Sequence, residues 1–191
     1  KELKSTTLVA DVGRSSYTLS VSVTSGTQAV FSLETTIVAV DETLQRSIAL
    51  PHANVLRQVM EKTSGTGAKR EKIVDEVRTR PEHAFCWQTV THWTGCDELG
   101  HLNQSQYGLL MEEARAVAGN AGAYGSASTM ACAPPVRAQI NYMGQAKAGD
   151  ALCIFTWWDG ESVCCEVERV DVQGSPGQIL TTGRVWVSAF A

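Results

Sequence analysis

Alternating apolar and polar side chains characterise the first part of the chain and predict β-strands within residues 6–41. Every second residue of Thr18–Val23 is apolar, as expected of a half-buried strand. Residues 30–40 are rich in Val, Ile, Thr and Phe, which suit a pleated surface. The segment Ser25-Gly26-Thr27 interrupts the two runs and predicts a hairpin loop between them.

The pattern changes over residues 52–82. Residues 52–62 carry apolar side chains at helical spacing and predict a short helix, which Ser64-Gly65-Thr66-Gly67 ends. Residues 69–80 are highly charged, with Ile73 and Val77 one helical turn apart. We therefore interpret residues 69–80 as a solvated connecting segment with a helical turn or two.

The third part of the chain predicts one helix followed by antiparallel strands. A short strand over residues 84–91 leads into a polar loop, 92–103, and then into a helix over 104–121. Asp159-Gly160 is typical of a hairpin turn. One helix with a run of strands is typical of an α+β fold. Further strands are predicted over residues 136–145, 151–158, 162–171 and 178–189.

The predicted helix has a capped start and an apolar face. Asn103 or Ser105 is suited to cap its first turn. The apolar stripe is predicted to consist of Leu110, Ala114, Val117 and Ala121, with Tyr107 and Met111 beside it.

Composition and charge indicate a globular protein. Hydrophobic residues make up 43% of the 191 residues and charged residues 19%. The formal net charge of −4 gives no support to a nucleic-acid partner or an anionic membrane surface. No apolar run is long enough to predict a membrane span.

All six cysteines follow residue 85, and none forms a Cys-x-x-Cys pair or shows zinc-ligand spacing. We interpret them as reduced and mostly buried thiols, which predicts an intracellular protein, in the cytoplasm or in an organelle such as a mitochondrion or plastid. A catalytic thiol at Cys96 is the alternative, but the carboxylate of the adjacent Asp97 would disfavour a reactive thiolate.

Two spaced motifs carry a resemblance to a known family. The first begins with an Asp, which is followed after two intervening residues by Gly-His and after one more by an Asn. A Tyr lies four positions after the Asn, and an acidic pair followed by Ala-Arg completes the motif. Its residues are Asp97, Gly100, His101, Asn103, Tyr107, Glu112, Glu113, Ala114 and Arg115. The second comprises Ile140, Asn141, Tyr142, Ala146, Ala148, Gly149 and Asp150. Together they resemble the 4-hydroxybenzoyl-CoA thioesterase branch of the hotdog superfamily over roughly residues 83–191.

The first part of the chain resembles the last three strands of a hotdog domain. A faint repeat supports this, because residues 28–39 and 178–189 are similar in placement and strand character. We expect a double-hotdog protein whose first domain is truncated in this chain. The expected organisation is a partial hotdog unit over 1–51, a linker with helical segments over 52–82, and a complete hotdog domain over 83–191.

The resemblance implies an acyl-CoA or acyl-carrier-protein thioesterase, in which an antiparallel sheet wraps around a central helix. It implies that Asp97 is the nucleophile or general base and that the Gln104 backbone amide polarises the thioester carbonyl. No metal and no cofactor are implied, since coenzyme A belongs to the substrate. The resemblance also implies a homo-oligomer formed by hotdog pairing. The candidate substrate-binding residues are Gly100, His101, Asn103, Tyr107 and Glu113.

Structural roles remain open for the same residues. Asp97 and His101 could serve only to order the loop, and Asn103 only to cap the helix. Tyr107 could be a wall or core residue. The Glu112–Glu113 pair could simply form a polar helix face, pairing with Arg115 or Arg137.

Two other functions remain open at this level. A catalytically silent hotdog protein used for binding or assembly would keep the fold without turnover. A hotdog hydratase or dehydratase would need an Asp/His pair in a different sequence context, which the chain does not show.

Overall fold

The computed structural model describes residues 2–41, 46–63, 78–170 and 177–188. The chain divides into two compact units, Lys1–Val74 and Asp75–Ala191. Most of the connecting segment predicted over residues 69–80 lies outside the described residues.

Over its described residues, the first unit is a three-stranded antiparallel sheet with one helix. Its strands β1 (Leu3–Val12), β2 (Ser16–Ser25) and β3 (Gln28–Val38) lie in sequence order. The predicted hairpin is confirmed between β2 and β3, where Gly26 has a φ of 62°. The predicted helix is confirmed as α1 (Ala53–Thr63), which packs against β1.

The second unit is a five-stranded antiparallel sheet with a long helix, which confirms the predicted α+β class. The sheet order is β4-β6-β7-β8-β5, so the strand that follows the helix lies at one edge, beside the last strand. The elements in chain order are β4 (Phe85–Val90), a 3-10 turn (Trp93–Gly95), α2 (Gln104–Asn120), a second 3-10 turn (Gly125–Ala127), α3 (Ser128–Ala131), β5 (Pro135–Tyr142), β6 (Ala151–Trp158), β7 (Val163–Arg169) and β8 (Gln178–Val187).

Helix α2 packs on one face of this sheet and forms the core of the unit with it. Its buried apolar residues are Tyr107, Met111, Ala114 and Ala118. The stripe predicted from the sequence is therefore wrong in two positions, because Val117 and Ala121 are exposed. Both stripes have helical spacing, and the one that packs on the sheet contains the large side chains of Tyr107 and Met111.

The close approach of α2 to the sheet depends on a glycine in β8. A Cβ atom at Gly183 would lie 2.9 Å from Met111 Sδ and 3.2 Å from the backbone oxygen of Gln139. We expect Gly183→Ala to lower the free energy of unfolding by about 1–3 kcal/mol through overpacking, measured by urea denaturation.

Gly108→Ala is the matched control for this prediction. A Cβ at Gly108 would make an ordinary 3.6 Å contact with Ile140 Cδ1. Because alanine also has the higher helix propensity, this substitution should be neutral or stabilising. Equal costs at the two positions would contradict the overpacking explanation.

The opposite face of the sheet carries buried charge. The Arg80 guanidinium lies 2.6 Å from Glu166 Oε1 and 2.8 Å from Glu168 Oε2, over the ring of Phe155. Arg80 was predicted to belong to a solvated segment, and this is wrong for its side chain, which is two-thirds covered. Burial raises the pKa of the Glu166 carboxyl, and Arg80 opposes that rise.

The cysteines are all free thiols, but the prediction that they are mostly buried is wrong for half of them. Cys153, Cys164 and Cys165 are buried, whereas Cys86 and Cys132 are exposed and Cys96 is intermediate. Burial raises the pKa of the Cys164 thiol to about 11, with Asp159 adding to the rise.

Within the described ranges, none of the helices combines the length and the apolar character that crossing a membrane requires.

Candidate active site

The Asp97 loop, residues 96–103, is a tight turn held by its own backbone and by one carboxylate. The Asp97 N–H donates to the carbonyl of His101 at 2.8 Å, and the Gly100 N–H donates to the carbonyl of Asp97 at 3.0 Å. Asp97 Oδ1 accepts the N–H groups of Leu99 at 2.9 Å and His101 at 3.0 Å. Gly100 has a φ of 75°, a conformation that favours glycine. The loop-ordering role considered for Asp97 is therefore present in the structure.

The second carboxylate oxygen of Asp97 is left for other partners. Both bonds to the loop end on Oδ1, and within the described residues Oδ2 accepts none. The side chain is exposed. An oriented carboxylate with one free oxygen at the surface has the geometry that a nucleophile or general base requires.

The connection between β5 and β6 anchors the Asp97 loop. The Leu102 N–H donates to the Ala146 carbonyl at 2.8 Å, and the Ala148 N–H donates to the Gly100 carbonyl at 3.3 Å. The Ala146 N–H in turn donates to the Tyr107 hydroxyl at 2.8 Å. The two motifs recognised in the sequence therefore meet in space, and the second supports the first.

Helix α2 begins directly after this loop, and Asn103 is its N-cap, as predicted. Asn103 Oδ1 accepts the Ser105 N–H at 3.0 Å, and the Asn103 carbonyl accepts the Gln106 N–H at 2.9 Å. The N–H of Gln104 has no hydrogen-bond partner among the residues that the structure describes. An unpaired amide at the positive end of a helix of 17 residues is a donor for a developing negative charge.

A residue to which the sequence assigned no role also contacts this helix start. The Tyr142 hydroxyl, at the end of β5, donates to the Gln104 carbonyl at 3.0 Å. Its ring packs edge-on against Tyr107, with 5.8 Å between ring centroids. The sequence includes Tyr142 in the Ile140-Asn141-Tyr142 motif, but the spacing of that motif does not indicate which element the hydroxyl contacts.

The remaining candidate residues are more widely separated. Tyr107 is 1% exposed, so it contributes to the core and supports the loop from beneath, and burial raises the pKa of its phenol. Glu113 is exposed and follows Gln104 by nine residues, or about two and a half helical turns. Its neighbour Glu112 pairs with Arg115 at 2.6 Å, one of the two pairings considered from the sequence.

Two large apolar side chains, one before the Asp97 loop and one within it, are exposed at the surface. Trp93 is 71% exposed and Leu99 is 72% exposed. A Cβ at Gly100 would lie 3.7 Å from the Trp93 ring, so this ring lies beside the turn. Large exposed apolar groups next to an oriented carboxylate are typical of a surface that binds an apolar ligand or partner.

Comparison with known proteins gives a likeness in structure alone. No protein-family model and no curated protein matches the sequence. The solved 12:0-ACP thioesterase from Umbellularia californica is 13% identical with a TM-score of 0.72, over 96% of this chain and 66% of that one. A putative oleoyl thioesterase from Lactobacillus plantarum is 9% identical with a TM-score of 0.65, over 98% and 70%.

An acyl-ACP thioesterase from Bacteroides thetaiotaomicron is 12% identical with a TM-score of 0.62, over 96% of this chain and 68% of that one. The chain thus spans about two thirds of the length of these three proteins. At such low identity the likeness concerns the fold and not the activity. The chain has the hotdog fold found in these thioesterases.

Proposed function

We propose that this protein hydrolyses an acyl thioester to a free acid and a thiol. The observation that carries the proposal is the unpaired Gln104 amide at the start of α2, directly after a loop that orients the Asp97 carboxylate. The hotdog fold supports it, because the similar solved structures are named as thioesterases.

Asp97 and the Gln104 amide would divide the chemistry between them. The Gln104 N–H would bind the thioester carbonyl oxygen and stabilise the oxyanion that forms when the carbonyl carbon is attacked. If Asp97 attacks this carbon through Oδ2, the C–S bond breaks, the thiolate leaves, and water then hydrolyses the acyl-aspartyl anhydride to the free acid and supplies the proton of the thiol. If Asp97 instead takes the proton of an attacking water molecule, collapse of the tetrahedral intermediate breaks the C–S bond and the proton passes from Asp97 to the departing thiolate. No cofactor is needed beyond the carrier that belongs to the substrate.

The proposed substrate is a thioester of coenzyme A or of an acyl-carrier protein. The solved structures with the same fold include enzymes named for 12:0-ACP and oleoyl substrates, which favours an aliphatic acyl group. Trp93 and Leu99 are positioned to cover an apolar part of such a substrate. Gly100, His101 and Asn103 lie within the Asp97 loop, and we propose them as substrate contacts.

The substrate-binding roles of Tyr107 and Glu113 stay predictions. The Tyr107 side chain lies in the core, so a contact with substrate would have to be indirect. Glu113 is accessible but distant along α2, so it would contact a remote part of the substrate or a partner surface.

A panel of acyl-CoA and acyl-carrier-protein thioesters, followed by release of the free thiol, tests the proposal. Turnover of at least one aliphatic thioester by the whole chain is expected. A protein that binds these thioesters without releasing thiol would instead be a catalytically silent hotdog protein.

The silent alternative has one structural observation in its favour. Asp97 accepts hydrogen bonds from two backbone amides and therefore has a structural role in the loop that does not depend on catalysis.

Sedimentation of the purified chain at several concentrations separately tests the proposed homo-oligomer, and a monomer at all concentrations would contradict it.

A further inference from the structure

We propose that Tyr142 is a positioning residue for the thioester carbonyl, acting through the first turn of α2. This inference rests on the proposed function, because it concerns the same carbonyl-binding amide. The hydrogen bond from the Tyr142 hydroxyl to the Gln104 carbonyl, 3.0 Å long, is the contact through which it acts.

The first turn of α2 is held from two sides. On one side, Asn103 Oδ1 accepts the Ser105 N–H. On the other, Tyr142 binds the carbonyl of Gln104, the residue whose own N–H is unpaired within the described chain. Both contacts hold the Gln104–Ser105 peptide, which is joined to the Gln104 N–H through the Cα of Gln104. Losing either contact would give this Cα and the N–H that it carries more freedom, and a donor that moves stabilises an oxyanion less than a fixed one.

The Tyr142 side chain is itself placed precisely enough for this role. Its ring packs edge-on against Tyr107, which is buried and bound to the Ala146 amide. Tyr142 also ends a strand that is paired with β8, where its register partner is Thr181. The hydroxyl therefore links a fixed strand end to the start of the helix. The residue as a whole remains 41% exposed to solvent.

A structural role alone would predict a different result from a positioning role. A hydroxyl that only stabilises the fold would change the free energy of unfolding and leave the folded enzyme's kcat intact. A hydroxyl that positions the Gln104 amide would lower kcat with little change in KM, since the bond to the oxyanion is strongest in the transition state. It would also alter the polarisation of a bound carbonyl.

The kinetic test compares Tyr142→Phe with Tyr124→Phe, using lauroyl-CoA as the probe. Tyr142→Phe is expected to lower kcat about tenfold with KM nearly unchanged. Tyr124→Phe is the matched control, because it removes a buried hydroxyl that is bonded to Thr156 Oγ1 at 2.7 Å in the core. That variant should be less stable but should keep the kcat of the folded enzyme.

The spectroscopic test uses lauroyl-CoA with a ¹³C-labelled thioester carbonyl, bound to Asp97→Asn protein. Infrared difference spectra should show the carbonyl stretch at lower frequency than in water, and adding Tyr142→Phe should shift it back. Adding Tyr124→Phe should leave it unchanged. Wild-type turnover together with an unchanged kcat and an unchanged stretch in Tyr142→Phe overturns the inference. Absence of turnover of every thioester by the wild-type chain instead overturns the proposed function.

If Tyr142→Phe does not fold, 3,5-difluorotyrosine at position 142 provides the test. This residue keeps the ring and, in mildly acidic solution, the hydroxyl, but it ionises at lower pH than tyrosine. As pH rises through that ionisation the donor is lost, so kcat should fall in a range where the unsubstituted protein shows no fall. Coincident pH profiles would overturn the inference.

Discussion

Replacing Asp97 by Asn is expected to lower kcat for an acyl thioester by about a thousandfold with little change in stability. The amide oxygen of asparagine can still accept the N–H groups of Leu99 and His101, so the loop should keep its shape. The amide can neither attack the carbonyl carbon nor take a proton from water. Steady-state thiol release and urea denaturation measure the two quantities on the same preparation.

Glu98→Gln is the matched control for this experiment. Glu98 is the next residue, is exposed, and lies in the same turn of the chain. The substitution removes an equal charge at almost the same place, so an effect of net charge on substrate attraction would appear in both variants. We expect Glu98→Gln to retain nearly all of kcat. Equal losses in the two variants, or an Asp97→Asn protein as active as the wild type, would exclude the assigned role of Asp97.

Features that depend on neighbouring residues could be predicted from the sequence. The hairpin at Gly26 and the cap at Asn103 are examples, because glycine permits a positive φ and a short polar side chain reaches the amide two residues on. Helix α2 begins at the predicted residue and ends one residue before the predicted end. Here local chemistry and the final fold agree.

Features that depend on distant residues could not be predicted. The buried stripe of α2 depends on Gly183 in the last strand, which leaves room for Met111. The burial of Arg80 depends on two carboxylates more than 80 residues away along the chain. The sequence shows the helical spacing of the α2 stripe and the charge of Arg80. It does not show the distant residues that determine which side chains are buried.

The candidate site likewise has residues whose placement could be predicted from the sequence and one whose placement could not. Asp97, Gly100 and Asn103 lie within one short segment, so their joint placement followed from a motif. Tyr142 reaches the Gln104 carbonyl from a strand 38 residues further on. Its side chain could have pointed to either face of an edge strand, so its role required the register of β5 beside β8.

Replacing Arg115 by Met is expected to lower the free energy of unfolding of the second unit by about 2–5 kcal/mol. The Arg115 side chain lies in α2 and is only 6% exposed. It donates to the carbonyl oxygens of Ala131 and Ala133 and to the carboxylate of Glu112. Ala131 and Ala133 are buried, so methionine would leave their carbonyls without this donor. Urea denaturation measures the change.

The Glu112→Gln variant separates the ion pair from the two carbonyl contacts of Arg115. Glu112 is 38% exposed, and glutamine still offers an oxygen to the guanidinium, so we expect a loss of at most about 1 kcal/mol. Because Ala131 ends α3 and Ala133 lies just before β5, the larger loss in Arg115→Met would show that this arginine fixes the start of the strand that carries Tyr142. Similar losses in the two variants would mean that the ion pair, and not the carbonyl contacts, stabilises this part of the fold.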